Sequence, residues 1–207
     1  MQQAGDDERS ARPACVTMWF LFHASIMSDT RVLILPGRGG SGPDHWQTHW
    51  EAANPDFLRV QQREWNSPDR AEWVATLHQA ITADTRPVVL VAHSLSVGLI
   101  AHWAAGHAGP VIGALLVAPS DVEAPAYAPG TTGFAPMALQ TLPFRSTVIA
   151  STDDPRVSLA RATQFAQAWG SRLDIAGACG HLGSASLLGS WDYGFSRVQE
   201  LRTAAPA

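Results

Sequence analysis

Residues 87–98, PVVLVAHSLSVG, decide the fold that this sequence predicts. The apolar run Val88–Val91 is typical of a parallel strand buried on both faces, and a helical segment begins near Leu95. Between them, AHSLS (92–96) has the form of the strand-to-helix turn G-x-S-x-G, with small residues in place of both glycines. Such a turn presents a serine hydroxyl above the sheet edge, so Ser94 is a candidate nucleophile. A serine that only caps the following helix is the alternative.

Strands and helices alternate on both sides of this stretch. We predict strands at Val32–Leu35, Phe57–Gln61, Val88–Ala92, Ile112–Ala118, Thr147–Ser151 and Leu173–Ile175. We predict helices near Pro43–Ala53, Asp69–Ala83, Leu95–Gly106, Ser158–Trp169 and Ser190–Thr203. Alternating elements form right-handed βαβ units, so the expected fold is a three-layer α/β/α sandwich. Its sheet should hold about six mainly parallel strands in spatial order 2-1-3-4-5-6.

Composition limits the class of protein. The 207 residues, 46% apolar and 15% charged, can bury one sizeable core. A net charge of −4 without a run of arginines argues against a nucleic-acid partner, and the two cysteines favour a reducing, cytoplasmic compartment. The longest apolar stretch, 15–27, is too short to span a membrane. We interpret residues 1–28 as a flexible extension and residues 29–207 as one domain.

Two later strand ends supply the partners that a nucleophilic serine needs. The strand at 147–151 is followed by DDP (153–155), and the last strand is followed by CGH (179–181). A serine nucleophile requires a histidine base and a carboxylate that orients it, and in doubly wound hydrolases the chain order is Ser, Asp, His. We assign the role of the base to His181. Of the two adjacent aspartates, we assign the orienting role to Asp154, because Pro155 stiffens the turn directly behind it. Helix-capping aspartates and a backbone-bonded loop histidine are the alternatives.

The first predicted strand leads into a glycine-rich loop, LPGRGGSG (35–42). A phosphate-binding loop of the G-x-x-x-x-G-K-[ST] type needs a lysine, and this sequence has none. In the hydrolase interpretation, the backbone N–H groups of Arg38 and Leu95 form the oxyanion hole.

Other chemical groups give weaker signals. His45 and His49 are four residues apart, but the glutamate of the H-E-x-x-H metal motif is absent, so we interpret them as structural or pocket-lining. Cys179 lies next to the candidate base, yet Ser94 occupies the nucleophile position. Because side chains can perform every proton transfer, we expect neither a metal nor an organic cofactor.

The irregular segment 121–145 is expected to be a functional loop that selects the substrate. Its apolar side chains favour short acyl or aromatic esters over charged substrates. Five residues are the predicted substrate contacts. Phe134 and Met137 belong to this segment, and Gly37, Trp46 and Trp191 lie elsewhere in the chain.

These residues resemble a known family: the small serine hydrolases grouped with retinoblastoma-binding protein 9, within the α/β-hydrolase superfamily. The resemblance runs from about Arg31 to the C-terminus. Its motifs are LPGRGGSGPDHWQTHWE (35–51), VAHSLS (91–96), STDDP (151–155) and CGHLG (179–183). It implies an α/β-hydrolase fold with little or no cap domain, a triad of Ser94, Asp154 and His181, and hydrolysis of small esters or amides. Ser96 departs from the family pattern, which usually has glycine there.

The expected partner is therefore a small-molecule ester or amide, with no nucleic acid and no membrane, and the oligomeric state stays open. Two rival functions use the same fold. One is a non-catalytic binding protein, because a fold does not guarantee an activity. The other is a cofactor-free perhydrolase with the same triad.

Overall fold

The computed structural model describes residues 29–125, 127 and 129–203. Its strands are β1 (Arg31–Leu35), β2 (Phe57–Arg59), β3 (Val88–His93), β4 (Val111–Val117), β5 (Arg145–Ala150) and β6 (Arg172–Ile175). Its α-helices are α1 (Trp46–Ala53), α2 (Arg70–Thr82), α3 (Leu95–Ala104), α4 (Leu159–Trp169) and α5 (Asp192–Thr203). The predicted extension at residues 1–28 lies outside the described residues.

The six strands form one parallel sheet in the order β2-β1-β3-β4-β5-β6. This order and the parallel direction confirm the predicted topology. The central strand β3 is buried along its whole length, as its continuous apolar run indicates. Since β3 lies between β1 and β4, the loops after β1 and β4 flank the loop that follows β3.

The two faces of the sheet are covered by different helices. One core contains Trp73 of α2, Trp103 of α3 and Phe165 of α4. The other contains Trp50 of α1 and Val198 of α5. Neighbouring residues within a strand point to opposite faces, so each central strand contributes to both cores. The result is the predicted three-layer α/β/α sandwich.

The segment between β4 and β5 is irregular, as its composition predicts. Its described residues form turns and bends and no helix, and in the part of the chain that the structure describes no large cap domain covers the sheet edge. None of the described helices is long and apolar enough to cross a membrane.

Candidate active site

Ser94 joins β3 to α3 in an uncommon backbone conformation. Its φ of 61° lies in the left-handed region, and its ψ is −123°. Residues other than glycine enter this region at a cost of about 1–3 kcal/mol and do so mainly at functional sites. The Ser94 N–H donates to the carbonyl of Val117 at the end of β4 (2.9 Å), which anchors the turn. Its side chain gives α3 no capping hydrogen bond, so the helix-cap alternative fails.

Gly37 leaves the space that this turn requires. A Cβ atom at Gly37 would lie 2.7 Å from the Ser94 Cβ and 2.9 Å from the His93 carbonyl oxygen, so any side chain would collide with the turn. The backbone after β1 therefore runs directly against Ser94, and Arg38 follows at the next peptide. Leu95 is the first residue of α3, where backbone N–H groups have no acceptor within the helix. Leu95 thus follows Ser94 directly along the chain, and Arg38 follows Gly37, which packs against Ser94.

Ser96, which replaces the usual glycine, ties the two loops together. Its side chain is buried and its hydroxyl donates to the carbonyl of Pro36 at 2.6 Å. The substitution leaves the turn intact, because the small side chain fits between α3 and the loop after β1. The Ser96 hydroxyl also adds a hydrogen bond between α3 and the segment that contains Gly37.

Three side chains from three separate loops form one hydrogen-bonded chain. The Ser94 Oγ lies 2.8 Å from His181 Nε2, and His181 Nδ1 lies 2.9 Å from both carboxylate oxygens of Asp154. A carboxylate only accepts, so Nδ1 carries the hydrogen and Nε2 is left to accept the serine proton. The Asp154 side chain is fully buried, and its Oδ1 also accepts from the N–H of Arg156 (2.8 Å).

The loop that carries His181 is held on both sides of the histidine. Before it, the N–H of Gly180 donates to Asp153 Oδ1 at 2.7 Å. After it, the carbonyl of Leu182 accepts from the indole N–H of Trp46 at 2.8 Å. The His181 carbonyl itself accepts from His93 Nε2 at 2.9 Å. Asp153 therefore fixes the loop, while the imidazole contacts Asp154.

His45 and His93 lie beside His181 and are uncharged at neutral pH. The rings of His45 and His93 are 4.8 Å apart, and those of His93 and His181 are 5.0 Å apart. Burial, followed by the charge of Arg59, lowers the pKa of His45 to about 4, and burial holds the pKa of His93 well below its usual value. Neither His45 nor His93 therefore carries a charge that would oppose a proton on His181.

Ser120 is a site residue that the sequence analysis missed. It lies after β4, is buried, and its Oγ is 2.9 Å from the Ser94 Oγ. Since the Ser94 proton points to His181, Ser120 is the donor in this second bond. Its position at the end of a central strand, beside the one that leads to Ser94, is the signal that could have identified it.

The hydrogen-bonded chain opens into a cleft of about 440 Å³. Besides Ser94 and His181, the lining includes Gly37, Arg38, His45, Asn66, Tyr127 and Arg156. The lining is mainly polar.

The comparisons with known proteins identify the family of the chain. A family model described as serine hydrolase matches residues 32–200. The chain belongs to the serine hydrolase family. The expected fold and superfamily are confirmed, and the narrower grouping with retinoblastoma-binding protein 9 stays a prediction.

Solved structures show the same fold. A YdeN-like hydrolase from Pectobacterium atrosepticum is 30% identical, with a TM-score of 0.76 over 88% of this chain and 96% of that one. A hydrolase of the α/β superfamily from Xanthomonas campestris has 18% identity and a TM-score of 0.54, covering 83% and 99%. The esterase RhEst1 from Rhodococcus sp. has 14% identity and a TM-score of 0.64, covering 86% and 92%. The latter two show the fold alone. The comparison with curated proteins finds no match.

Two of the predicted substrate contacts of this serine hydrolase lie behind the cleft. Trp46 is buried, and its indole donates to the backbone next to His181. Trp191 packs against Trp46, with ring centroids 5.0 Å apart, and against Trp50 in the core. The assignment of both as substrate contacts is corrected here: the aromatic cluster supports the histidine loop from below.

The assignment of Phe134 and Met137 as substrate contacts is also corrected, because the structure does not bring these side chains to the cleft of the hydrolase. Phe134 is 1% exposed and packs edge-on against Trp73, with centroids 5.9 Å apart. The thioether of Met137 lies over α3, where a Cβ at Gly98 would be 3.2 Å from its sulfur. Both are core residues. Another side chain of segment 121–145, Tyr127, does line the cleft.

Replacing Ser96 by alanine should destabilise the hydrolase. The change leaves the buried Pro36 carbonyl without its hydroxyl donor, so we expect the free energy of unfolding to fall by about 1–3 kcal/mol. Urea unfolding measures this. As a control, Thr76→Ala removes an exposed hydroxyl that bonds within its own helix and should change stability by about 0.5 kcal/mol or less. Equal effects of the two variants would show that the Ser96 bond does not hold the loops together.

Proposed function

We propose that the protein hydrolyses small ester or amide substrates through an acyl-enzyme intermediate on Ser94. The observation that supports this is the continuous hydrogen-bonded chain from Ser94 through His181 to Asp154, in a cleft beside two candidate oxyanion donors. Family membership supports the broader statement that the protein is a serine hydrolase.

In the acylation half-reaction, His181 Nε2 takes the proton of Ser94 as Oγ attacks the substrate carbonyl carbon. The Oγ–C bond forms, and the carbonyl π electrons move to oxygen. The backbone N–H groups of Arg38 and Leu95 stabilise this oxyanion, and one such donor is typically worth about 3–4 kcal/mol of barrier. The bond to the leaving group then breaks, and His181 returns the proton to the departing oxygen or nitrogen.

Deacylation repeats the sequence with water as the nucleophile. His181 takes a proton from water, the hydroxide oxygen bonds to the acyl carbon, and the Ser94 ester bond breaks. The proton returns to Oγ, so the products are the free acid and the original enzyme. In both halves Asp154 keeps the hydrogen on Nδ1 and stabilises the imidazolium that forms. Ser120 donates to Oγ and helps to direct the Ser94 proton towards His181.

A fluorophosphonate probe tests the proposal, because it labels only an activated serine. We expect Ser94→Ala to abolish both labelling and the hydrolysis of p-nitrophenyl esters, with little change in thermal stability. As a control, Ser184→Ala removes another hydroxyl from the same cleft and should still be labelled. Labelling of the Ser94→Ala variant would show that another residue is the nucleophile. A parent protein that is folded but not labelled would favour the non-catalytic alternative.

The two adjacent aspartates should differ strongly in their effect on rate. Asp154→Asn removes the acceptor that fixes the histidine tautomer, so we expect kcat to fall by roughly 10⁴-fold, as in the serine-protease triad. Asp153→Asn keeps an amide oxygen that can accept from Gly180 and Ser151, and kcat should fall by less than about tenfold. Steady-state kinetics at neutral pH separates the two. A larger loss at Asp153 would reverse the assignment.

A further inference from the structure

The hydroxyl of Ser120 touches the reacting oxygen of Ser94. The two Oγ atoms are 2.9 Å apart, and Ser120 is 3% exposed and lines the cleft. Because His181 Nε2 takes the Ser94 proton, the Ser94 Oγ accepts from the Ser120 hydroxyl through a lone pair. The reacting oxygen therefore has two hydrogen-bond partners, a base and a neutral donor.

The loop after β4 holds Ser120 in this position. Two residues before it, the N–H of Ala118 donates to the carbonyl of Ile149 in β5 at 2.9 Å. Directly after it, the N–H of Asp121 donates to the carbonyl of Arg156 at 3.1 Å. Since the loop is bonded on both sides of Ser120, the donor is in place before a substrate binds, and no ordering cost falls on the reaction.

Ser120 acts on a different atom from the candidate oxyanion donors. It follows β4, whereas Arg38 follows β1, and these two strands flank β3 in the sheet. An oxyanion forms on the carbonyl oxygen of the substrate, but the oxygen that Ser120 contacts is the Oγ of Ser94. The effect of Ser120 on rate therefore depends on how the electron density of that Oγ changes during the reaction.

The strength of this hydrogen bond should differ between the two halves of the reaction. In the resting enzyme, the Ser94 Oγ is a hydroxyl oxygen and accepts the bond fully. In the acyl-enzyme it is the alkyl oxygen of an ester, which accepts weakly because its lone pair is delocalised into the carbonyl group. As deacylation breaks the bond from carbon to Oγ, the electron pair returns to Oγ and the hydrogen bond strengthens. Only interactions that strengthen on the way to the transition state accelerate a step.

We propose that Ser120 is a catalytic residue of deacylation, in which it stabilises the Ser94 Oγ as the leaving group. Once the water oxygen has bonded to the acyl carbon, the tetrahedral intermediate collapses and the bond from carbon to Oγ breaks. The electron pair of that bond goes to Oγ, which takes its proton from His181 Nε2 while Ser120 donates. In acylation the same hydrogen bond exists before attack and weakens as Oγ bonds to carbon, so it does not accelerate that step. The inference rests on the proposed hydrolase function.

Removing the Ser120 hydroxyl should slow deacylation alone. In Ser120→Ala, Ser94 keeps its hydrogen bond to His181, so the change leaves the nucleophile with a partner. With p-nitrophenyl acetate, for which we expect deacylation to limit turnover, kcat should fall about tenfold, the effect of one hydrogen bond in a transition state. KM should fall by the same factor, and kcat/KM, which reports acylation, should change by less than about twofold.

A single-turnover experiment measures the two half-reactions separately. Enzyme in excess over the ester is quenched at increasing times, and peptide mapping follows the acetyl group on the peptide that contains Ser94. In Ser120→Ala the acetyl group should appear at the parent rate and disappear about tenfold more slowly. The matched control is Ser146→Ala, because Ser146 is also buried and lies 2.6 Å from a second serine hydroxyl, that of Ser171. Ser146 belongs to the amino end of β5, and its variant should keep both rates.

Ser120→Cys is a second variant in case the alanine variant does not fold, because a thiol is a weak donor of similar shape. If kcat/KM falls as much as kcat, Ser120 supports acylation or the whole site, and if kcat is unchanged, its hydrogen bond has no kinetic role. Either result overturns the inference, while acylation of Ser94 in the parent protein leaves the hydrolase proposal standing. Turnover by the parent without acylation of Ser94 overturns that proposal and the inference with it.

Discussion

The left-handed backbone of Ser94 is the constraint on which the rest of the site depends. A serine at a φ of 61° is strained, and the surrounding structure has to compensate for that strain. The turn lies between the fully buried strand β3 and the apolar helix α3, and Val117 anchors it by a hydrogen bond from β4. Gly37 leaves room for it, and Ser96 fastens α3 to the loop that contains Gly37. Core packing thus supports a conformation that lifts the hydroxyl into the cleft.

The histidine loop has a comparable arrangement. His181 lies between two positions with left-handed backbone, Gly180 at a φ of 56° and Leu182 at 49°. His93 and Trp46 donate hydrogen bonds to the carbonyls of His181 and Leu182. The Asp153 carboxylate accepts from the N–H of Gly180. His93 belongs to β3 and Trp46 to α1, so the sheet and this helix position the candidate base as well as the candidate nucleophile. Preorganisation of this kind spares the enzyme the cost of ordering the site during reaction.

Much of this architecture could be predicted from sequence, because parallel strands are continuous apolar runs and their carboxyl ends share one edge. The sequence therefore predicts that the loops after β3, β5 and β6 lie at the same edge of the sheet. These loops carry Ser94, Asp154 and His181. The substrate contacts could not be predicted in this way. An apolar residue in an irregular segment can face the core or the cleft, and the direction is set by packing: Phe134 fills space beside Trp73.

Rapid-quench mass spectrometry tests the central claim, that Ser94 becomes acylated, most directly. Because p-nitrophenolate is a good leaving group, acylation by p-nitrophenyl acetate should outrun deacylation, and the intermediate should accumulate. Acid quenching in the first turnover, followed by peptide mapping, is predicted to find one acetyl group on the peptide that contains Ser94. Its appearance should match the burst of p-nitrophenol. Acetylation of Cys179 or another residue instead, or turnover with no acetyl group on Ser94, would contradict the account.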